Sequence, residues 1–320
     1  MRRLLHSPAV THPAAPGPTA AAPPAPRGVQ PASEGVAAAT VLAACAVLTQ
    51  IAYPLLAGEA LRGATILAVV LFAAASVLHA GAVLGPRAAA GLLAGAAGTG
   101  LVAEAVGVAT GVPFGTYSYA GTLGREVLGV PLLVPLAWTM MAYPALLLGR
   151  RLGAAARPGR WRPLVTAVLG GATLAGWDLF LDPQMVAAGH WSWAYPEPGL
   201  PGVPQVPLTN AAGWVLVGTV MTALLDRVLP RTAGAGARVP GPRTETLPAA
   251  LLGWTWLGSV VANLAFFGRP WVALYGGVAL GLLVLPYLRA LVLAVRAAPA
   301  PPAAAGGSAG PAGPAGPVPA

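Results

Sequence analysis

Two carboxyl side chains in this sequence, Asp178 and Asp182, have the type and the spacing that acid–base chemistry needs. Residues four apart lie on one face of a helix, about one turn from each other. Residues 163–181 are almost wholly apolar, so the two carboxyl groups stand at the end of an apolar helix. Charged groups are costly there, which makes both residues candidates for function. Pro183 follows directly and predicts that the helix ends or kinks near Asp182.

The composition predicts an integral membrane protein. Of the 320 residues, 56% are hydrophobic and 8% are charged, and the mean hydropathy is +0.71. A soluble domain carries about 25% charged residues. The net charge of +9 comes from arginine alone, in short loops between apolar segments, so membrane topology explains it better than nucleic-acid binding. The single cysteine, Cys45, excludes a disulfide within the chain, and its apolar surroundings predict a small buried residue.

Eight apolar segments predict eight transmembrane helices, since each has close to the ~20 residues that cross ~30 Å of hydrocarbon. Helices are expected because backbone polar groups at that depth must be paired within the segment. The segments run over 36–57, 64–84, 88–108, 131–149, 163–182, 208–229, 247–267 and 271–294. Small residues such as Gly170 and Gly171 predict close helix contacts.

The arginines predict the orientation of these helices. With both termini in the cytoplasm, 15 arginines lie on the cytoplasmic side and three, Arg62, Arg125 and Arg269, on the other. The transmembrane domain, 35–296, is flanked by Pro- and Ala-rich segments, 1–34 and 297–320, for which we predict disorder. The expected location is the plasma membrane of a bacterial cell.

Polar residues gather at the outer ends of the predicted spans, beneath two loops, 109–130 and 183–207, that are rich in Gly, Pro and aromatic residues. They are Gln50, Tyr53, Glu104, Asp178, Asp182, Asn210 and Asn263. Ionisable residues at this depth are functional candidates. The sequence predicts that these groups share one layer of the membrane, but it does not show which of them are neighbours.

Structural alternatives exist for each candidate. Asp178 could cap a helix or pair with Arg125 or Arg269. Glu104 could pair with Arg125, and Asn210 could cap the sixth helix. His190 could be an ordinary interfacial residue, and His79 is expected to be structural. The nine tryptophans could form an aromatic belt or a π-rich wall for an extended lipid or a cationic intermediate.

Several kinds of active site are excluded by missing motifs. The sequence contains no Gly-rich phosphate loop, no Cys/His metal spacing, and no HExxH or GxSxG motif. Asp178 and Asp182 form DxxxD rather than DDxxD, and four scattered histidines do not predict a multi-histidine iron site. Acid–base chemistry on an apolar substrate without a cofactor or a metal remains, as does transport or binding of such a substrate.

Five motifs identify a family resemblance. They are FGTYSY (114–119), GVPLLVPLAW (129–138), WDLFLDPQM (177–185), GHWSW (189–193) and VPLTNAAGW (206–214). In this order they resemble the CruF-type carotenoid-biosynthesis membrane proteins over about 36–295. The sequence departs from the expected pattern at Thr209-Asn210-Ala211, where a larger residue is expected after Asn, and in its long tails.

The resemblance implies a cofactor-independent carotenoid 1,2-hydratase, a group that includes the bisanhydrobacterioruberin hydratases. The implied substrate is a carotenoid within the bilayer. Other enzymes of the carotenoid pathway are open as partners, and nucleic acid is not expected. Hydration of the terminal alkene needs a carboxylic acid that protonates one carbon and leaves a tertiary carbocation. A carboxyl group in apolar surroundings keeps its proton, because burial disfavours the charged form.

We therefore predict Asp182 or Asp178 as the general acid, and the other aspartate or Glu104 as the base that activates water. The predicted substrate-binding residues are Phe114, Tyr117, Tyr119, Trp177, His190, Trp191, Trp193 and Asn210. A carotenoid cyclase is an alternative, since it begins with the same protonation but captures no water. A carotenoid or polyprenoid binding protein without chemistry is another. A secondary transporter is disfavoured by the lack of a clear internal repeat.

Overall fold

The computed structural model describes residues 30–156, 159–231 and 241–299. Most of both predicted tails, 1–29 and 300–320, lies outside these ranges. The described residues form eight α-helices: α1 Gln30–Ala52, α2 Gly58–Leu84, α3 Pro86–Thr110, α4 Leu133–Ala156, α5 Arg162–Ala187, α6 Leu208–Val228, α7 Thr246–Ala265 and α8 Pro270–Ala297. Helix α1 begins a few residues before the predicted end of the N-terminal tail, and short 3₁₀ segments, Tyr53–Leu55 and Pro242–Glu245, lie beside α1 and α7.

The protein is an all-α polytopic membrane bundle, and each of the eight predicted spans is helical. Seven of the eight described helices are long and apolar enough to cross a membrane. Helix α4 is the exception, because Arg150 and Arg151, together with two prolines and its aromatic residues, lower its hydropathy. Most of its length is buried inside the bundle. Many large apolar side chains of the other helices, such as Leu264 and Leu282, are exposed, as a surface that faces lipid requires.

Small residues let α5 and α6 pack closely, as predicted. A Cβ atom added to Gly171 would lie 2.5 Å from the backbone nitrogen of Thr219, and one added to Gly170 would lie 2.4 Å from Cγ2 of Thr222. Larger side chains would force the two helices apart. This contact matters for function because α5 carries Asp178 and Asp182, while α6 carries Asn210.

Cys45 corrects one prediction, because it is exposed on α1 rather than buried. In a soluble protein an apolar run with a cysteine usually faces the core. In a membrane helix the side that faces lipid is equally apolar, so hydropathy does not distinguish the two sides.

One end of the bundle carries ion pairs between arginines and acidic residues, and we call it the arginine face. Arg150 and Arg231 both bind the buried Asp226, with a distance of 2.7 Å from Arg150 Nε to Asp226 Oδ1. Arg151 binds Glu245 through two hydrogen bonds of 2.7 Å. These contacts connect the ends of α4 and α6 with the start of α7. The predicted cytoplasmic orientation of this face remains a prediction.

The opposite end, which we call the loop face, carries the segments 111–132 and 188–207. They contain six short strands: β1 Tyr117–Tyr119, β2 Glu126–Val127, β3 Val130–Pro131, β4 Trp191–Trp193, β5 Gly199–Leu200 and β6 Val203–Pro207. All pair antiparallel, as β1–β4, β2–β3 and β5–β6. The β1–β4 pair joins the two loops, with Tyr117 opposite Trp193 and Tyr119 opposite Trp191. The loops are ordered, and their strands were not predicted.

The prediction that helix α5 ends near Asp182 is wrong, whereas its alternative, a kink near Asp182, stays a prediction. The helix continues through Pro183 to Ala187. A proline inside a helix removes one backbone hydrogen bond. The following turn is nevertheless held by bonds from Ala188 N to Gln184 O and from His190 N to Met185 O, both 3.0 Å. The extra turn brings Gln184 and Met185 to the same end of the bundle as Asp182.

Candidate active site

The structure brings Asp178 and Asp182 together with Asn210. The Asn210 side-chain nitrogen donates to Asp178 Oδ2 at 2.9 Å and also to Asp182 Oδ2. Trp191 Nε1 donates to the other oxygen of Asp182 at 3.1 Å. All three residues of the Asp–Asn–Asp cluster are at most 3% exposed. The two carboxyl groups therefore share one amide group in a buried setting, and no arginine pairs with them among the described residues.

Asn210 is not the cap of α6, which corrects the structural alternative for this residue. The helix begins at Leu208 after Pro207, and no side chain caps its first turn. Asn210 is the third residue of the helix. Its side chain points across to α5 rather than back along α6. The close α5–α6 contact holds it against the two aspartates.

Glu104 lies near the C-terminal end of α3 and accepts three side-chain hydrogen bonds. Tyr119 donates to Oε2 at 2.8 Å, Tyr117 donates to the same oxygen, and Trp138 Nε1 donates to Oε1 at 3.0 Å. The Tyr117 hydroxyl also lies 3.3 Å from the backbone carbonyl of Glu104. The alternative ion pair with Arg125 is absent from the described part of the chain, and Arg125 is exposed.

Two tyrosines of β1 are thereby fixed as hydrogen-bond donors. Burial, and after it the negative charge of Glu104, raises the pKa of Tyr117 well above its ordinary value, and the same two causes raise the pKa of Tyr119. Both hydroxyls thus keep their protons at any physiological pH. They can stabilise a carboxylate on Glu104 without themselves becoming charged.

Glycines in α3 make room for these donors. A Cβ atom on Gly100 would lie 2.7 Å from Cδ1 of Trp138, and one on Gly107 would lie 2.8 Å from the hydroxyl oxygen of Tyr117. Gly100 comes four residues before Glu104 and Gly107 three residues after it, so both are on the same side of the helix as Glu104. The backbone of α3 can therefore approach Trp138 and Tyr117 closely enough for Glu104 to accept their hydrogen bonds.

Aromatic rings form a continuous wall around the two polar clusters. Trp138 and Trp214 stack with their ring centroids 3.9 Å apart and an interplanar angle of 15°. Trp177 meets Trp214 edge to face at 5.7 Å. The remaining contacts join rings of the two loops, Phe114–Tyr117, Tyr117–Tyr119, Tyr117–Trp193 and Tyr119–Trp191, at 5.6–6.2 Å.

A cavity of about 590 Å³ lies between these groups, and we call it the reaction cavity. Eight residues predicted for the site line it: Glu104, Phe114, Tyr117, Tyr119, Asp182, Trp191, Trp193 and Asn210. Asp182 and Glu104 thus face the same space from α5 and α3. Apolar side chains such as Val134 and Leu181 complete the wall.

Three predicted site residues do not line the reaction cavity. Asp178 lies behind it, bound to Asn210, and its Oδ1 atom has no hydrogen-bond partner in the described residues. Trp177 lines a neighbouring cavity instead. His190 is buried in the loop face, where its Nδ1 atom lies 2.7 Å from Thr122 Oγ1.

His190 is better suited to holding the loops than to contacting a substrate. Its backbone carbonyl accepts a hydrogen bond of 2.9 Å from Ala120 N, which extends the contact between the two loops. Burial, and after it the positive charge of Arg62, lowers the pKa of His190 below 6.5. His79, expected to be structural, is buried in α2 and lies 3.1 Å from the Tyr143 hydroxyl through its Nδ1 atom.

Trp138 and Trp214 were missed as individual site residues, although the sequence suggested a π-rich wall. Both line the reaction cavity, and Trp138 also binds Glu104. A signal was present, because the motifs GVPLLVPLAW and VPLTNAAGW end at these two residues. No three His, Cys, Asp or Glu side chains in the described ranges are grouped so that they could hold a metal ion.

Two sequence comparisons identify proteins that are similar to this chain. Over 125 residues the chain is 38% identical to the bisanhydrobacterioruberin hydratase of Haloarcula japonica, a match that covers 38% of this chain and 40% of that protein. The match thus spans about two fifths of the relative's length. No solved structure matches the chain significantly. The family model for carotenoid biosynthesis proteins matches residues 63–285, which include every residue of the reaction cavity, and the chain therefore belongs to the carotenoid biosynthesis protein family.

Proposed function

We propose that this protein hydrates the terminal 1,2 double bond of an acyclic carotenoid end group and produces a tertiary alcohol. The observation that carries the proposal is the buried carboxyl group of Asp182 on the wall of an aromatic cavity, joined through Asn210 to a second carboxyl group. The hydratase name of the Haloarcula japonica relative supports the reaction type. We further propose the plasma membrane of a bacterial cell as the place of the reaction.

Asp182 is the general acid in this proposal. Of the two aspartates only Asp182 lines the reaction cavity, so it alone can reach a substrate. Two neighbouring buried carboxyl groups without a cation cannot both be ionised at an acceptable free energy, so a proton stays with the pair. Asp178 acts as a positioning residue, since it holds Asn210 and through it the carboxyl group of Asp182.

Glu104 is also buried, but it accepts more side-chain hydrogen bonds than Asp182 and acts as the carboxylate. Both of its oxygens accept hydrogen bonds, from Tyr117, Tyr119 and Trp138, and an ionised carboxyl group is a pure acceptor. A negative charge fixed in a largely apolar cavity stabilises a positive charge that develops nearby. The faces of Trp138 and Trp214 add cation–π attraction.

The reaction then balances as follows. Asp182 gives its proton to the less substituted alkene carbon, the π electron pair forms the new C–H bond, and a tertiary carbocation remains on the other carbon. The oxygen of a water molecule bonds to that cation, and Glu104 removes one proton from the resulting oxonium group. One proton passes back from Glu104 to Asp182 before the next turnover. The net change is the addition of one water.

The test is expression of the full chain in a bacterial host that accumulates an acyclic carotenoid, followed by liquid chromatography and mass spectrometry of the pigments. We expect a more polar pigment that is heavier by one water. Asp182→Asn removes the acidic proton at nearly constant size and should reduce product at least a hundredfold, since general acid catalysis contributes about 10²–10⁴. Glu126→Gln is the matched control, because Glu126 is an exposed carboxylate on the same face of the protein.

The product distinguishes the proposal from its alternatives. A cyclic isomer of unchanged mass would show that the protein is a cyclase and not a hydratase. In that case the same cation closes a ring instead of binding water. Recovery of unchanged pigment with the purified protein would indicate a binding protein. Full hydration by the double variant Asp178→Asn/Asp182→Asn, at a protein level equal to wild type, would refute the assignment of the acid.

A further inference from the structure

A second cavity lies beside the reaction cavity and is larger, with about 910 Å³ of space. It is formed by residues of α1, α2, α4, α5 and α7 together with the segment that follows α1. Four residues line both cavities: Thr65 and Val69 of α2, and Leu181 and Met185 of α5. The two spaces therefore meet at these four side chains, directly beside Asp182.

The second cavity reaches partly exposed side chains on the side away from Asp182. At the junction Thr65 and Met185 are 5% and 6% exposed, while Val69 and Leu181 are partly buried. On the far side Gln50 of α1 and Trp254, Ser259 and Ala262 of α7 are only partly buried. The cavity thus opens between α1 and α7, on the side of the bundle that faces lipid.

Contacts across this opening include hydrogen bonds and one edge-to-face aromatic contact, between Tyr53 and Phe267 with ring centroids 6.4 Å apart. Trp254 Nε1 donates to Gln50 Oε1 at 2.7 Å, which bridges α7 and α1. Nearer the loop face, Gln184 Nε2 donates to the Tyr53 hydroxyl at 3.2 Å, and Arg269 donates to Gln184 Oε1 at 2.7 Å. A flat apolar molecule can pass between the Trp254–Gln50 bond and the bonds nearer the loop face without exposing a backbone polar group to lipid, because both helices keep their own hydrogen bonds.

We propose that the second cavity is the passage by which the polyene of the substrate enters from the bilayer, and in which it lies during the reaction. This inference rests on the proposed function. A carotenoid end group carries a long rigid chain, which the reaction cavity cannot also enclose. The junction at Thr65, Val69, Leu181 and Met185 lets the end group reach Asp182 while the chain extends towards α1 and α7. One end of the carotenoid therefore reacts in each binding event.

The passage can be tested by narrowing it far from the carboxyl groups. Ala262 lines the second cavity, whereas Ala265, on the same helix, is exposed and lines neither cavity. Ala262→Phe should obstruct the opening, and Ala265→Phe is the matched control with the same change in volume on the lipid side. Ala262→Leu and Ala265→Leu form a second pair with a smaller intrusion, in case the phenylalanine variant does not fold.

The readout is the ratio of pigment to protein after purification of the full chain from a host that accumulates the acyclic carotenoid. Folding is checked by size-exclusion chromatography. We expect Ala262→Phe to lose bound pigment at least tenfold, Ala262→Leu to lose it partly, and both Ala265 variants to match wild type. Wild-type pigment content in the folded Ala262 variants would overturn the passage, as would an equal loss in the Ala265 variants.

Failure of the passage and failure of the proposed function give different results. If pigment binds through the passage but its mass never changes, the hydratase proposal fails while the passage stands. If hydrated product forms at the wild-type rate in Ala262→Phe, the passage fails while the hydratase proposal stands.

Discussion

Two substitutions of Glu104 distinguish the role of its negative charge from the role of its hydrogen bonds. In Glu104→Gln the amide nitrogen can occupy the position of Oε2 and donate to the oxygens of Tyr117 and Tyr119. The amide oxygen then still accepts from Trp138. Tyr117 can donate instead to the backbone carbonyl of Glu104, 3.3 Å away. The Tyr119 hydroxyl then accepts a hydrogen bond instead of donating one. Each polar side chain of the cluster keeps a partner, and the negative charge is lost.

Glu104→Leu has a different effect, because it removes both acceptors. Trp138 Nε1 and the Tyr119 hydroxyl then lose their side-chain partner, while Tyr117 keeps the backbone carbonyl. An unpaired buried donor costs about 1–3 kcal/mol, so two cost about 2–6 kcal/mol. That is a large part of the ~5–15 kcal/mol by which a folded domain is stable.

We therefore expect Glu104→Gln to melt close to wild type but to hydrate about 10²–10³ times more slowly, the range for loss of one preorganised electrostatic group. Glu104→Leu should lose both activity and stability. Thermal unfolding of the purified protein in detergent and product per folded protein, measured by mass spectrometry, give the two quantities. Wild-type turnover in Glu104→Gln would refute the role of the charge. Equal melting temperatures for Glu104→Leu and Glu104→Gln would refute the hydrogen-bond argument.

Two further predictions concern other residues. Gly100→Ala places a methyl group 2.7 Å from Trp138, and overpacking of this kind costs about 1–3 kcal/mol. We therefore expect a lower melting temperature and slower hydration. In the control Gly98→Ala the new methyl group meets no atom within 4 Å, so this variant should behave as wild type in both assays. Burial lowers the pKa of His190 in the folded protein below the 6.5 of the unfolded chain. The unfolded state therefore binds more protons than the folded state as the pH falls through this range. For this reason stability should fall as the pH decreases from 7 to 5. His190→Gln should weaken this dependence in thermal unfolding measured across the pH range, and an identical pH profile in the variant would contradict the reasoning.

The helical architecture was largely predictable from the sequence, because the bilayer imposes a simple rule. A segment of about 20 apolar residues must be helical to satisfy its backbone in hydrocarbon. Even α8, which contains Pro286, follows that rule and runs unbroken over Pro270–Ala297. The same rule assigns each residue of a helix an approximate depth in the bilayer. For this reason one layer could be predicted for Glu104, Asp178, Asp182 and Asn210.

Local exceptions were less predictable, because they depend on neighbouring elements. Proline at 183 is a valid stop signal in an isolated helix, but bonds from Ala188 and His190 complete the last turn of α5 here. An asparagine near a helix start usually caps it. At position 210 the side chain binds α5 instead, because small residues let the two helices pack closely.

The sequence by itself determined the membrane class, the number of the helices and their limits to within seven residues, and it supplied the side chains that we propose for acid–base chemistry. Tertiary structure decided which of them meet: Asp182 faces the cavity while Asp178 lies behind it, and Glu104 binds Tyr117, Tyr119 and Trp138 rather than Arg125. The physical reason is that hydropathy measures transfer into lipid, which depends on depth and length. The lateral order of helices depends instead on side-chain packing between segments far apart in sequence, such as Glu104 with Trp138 and Asp178 with Asn210.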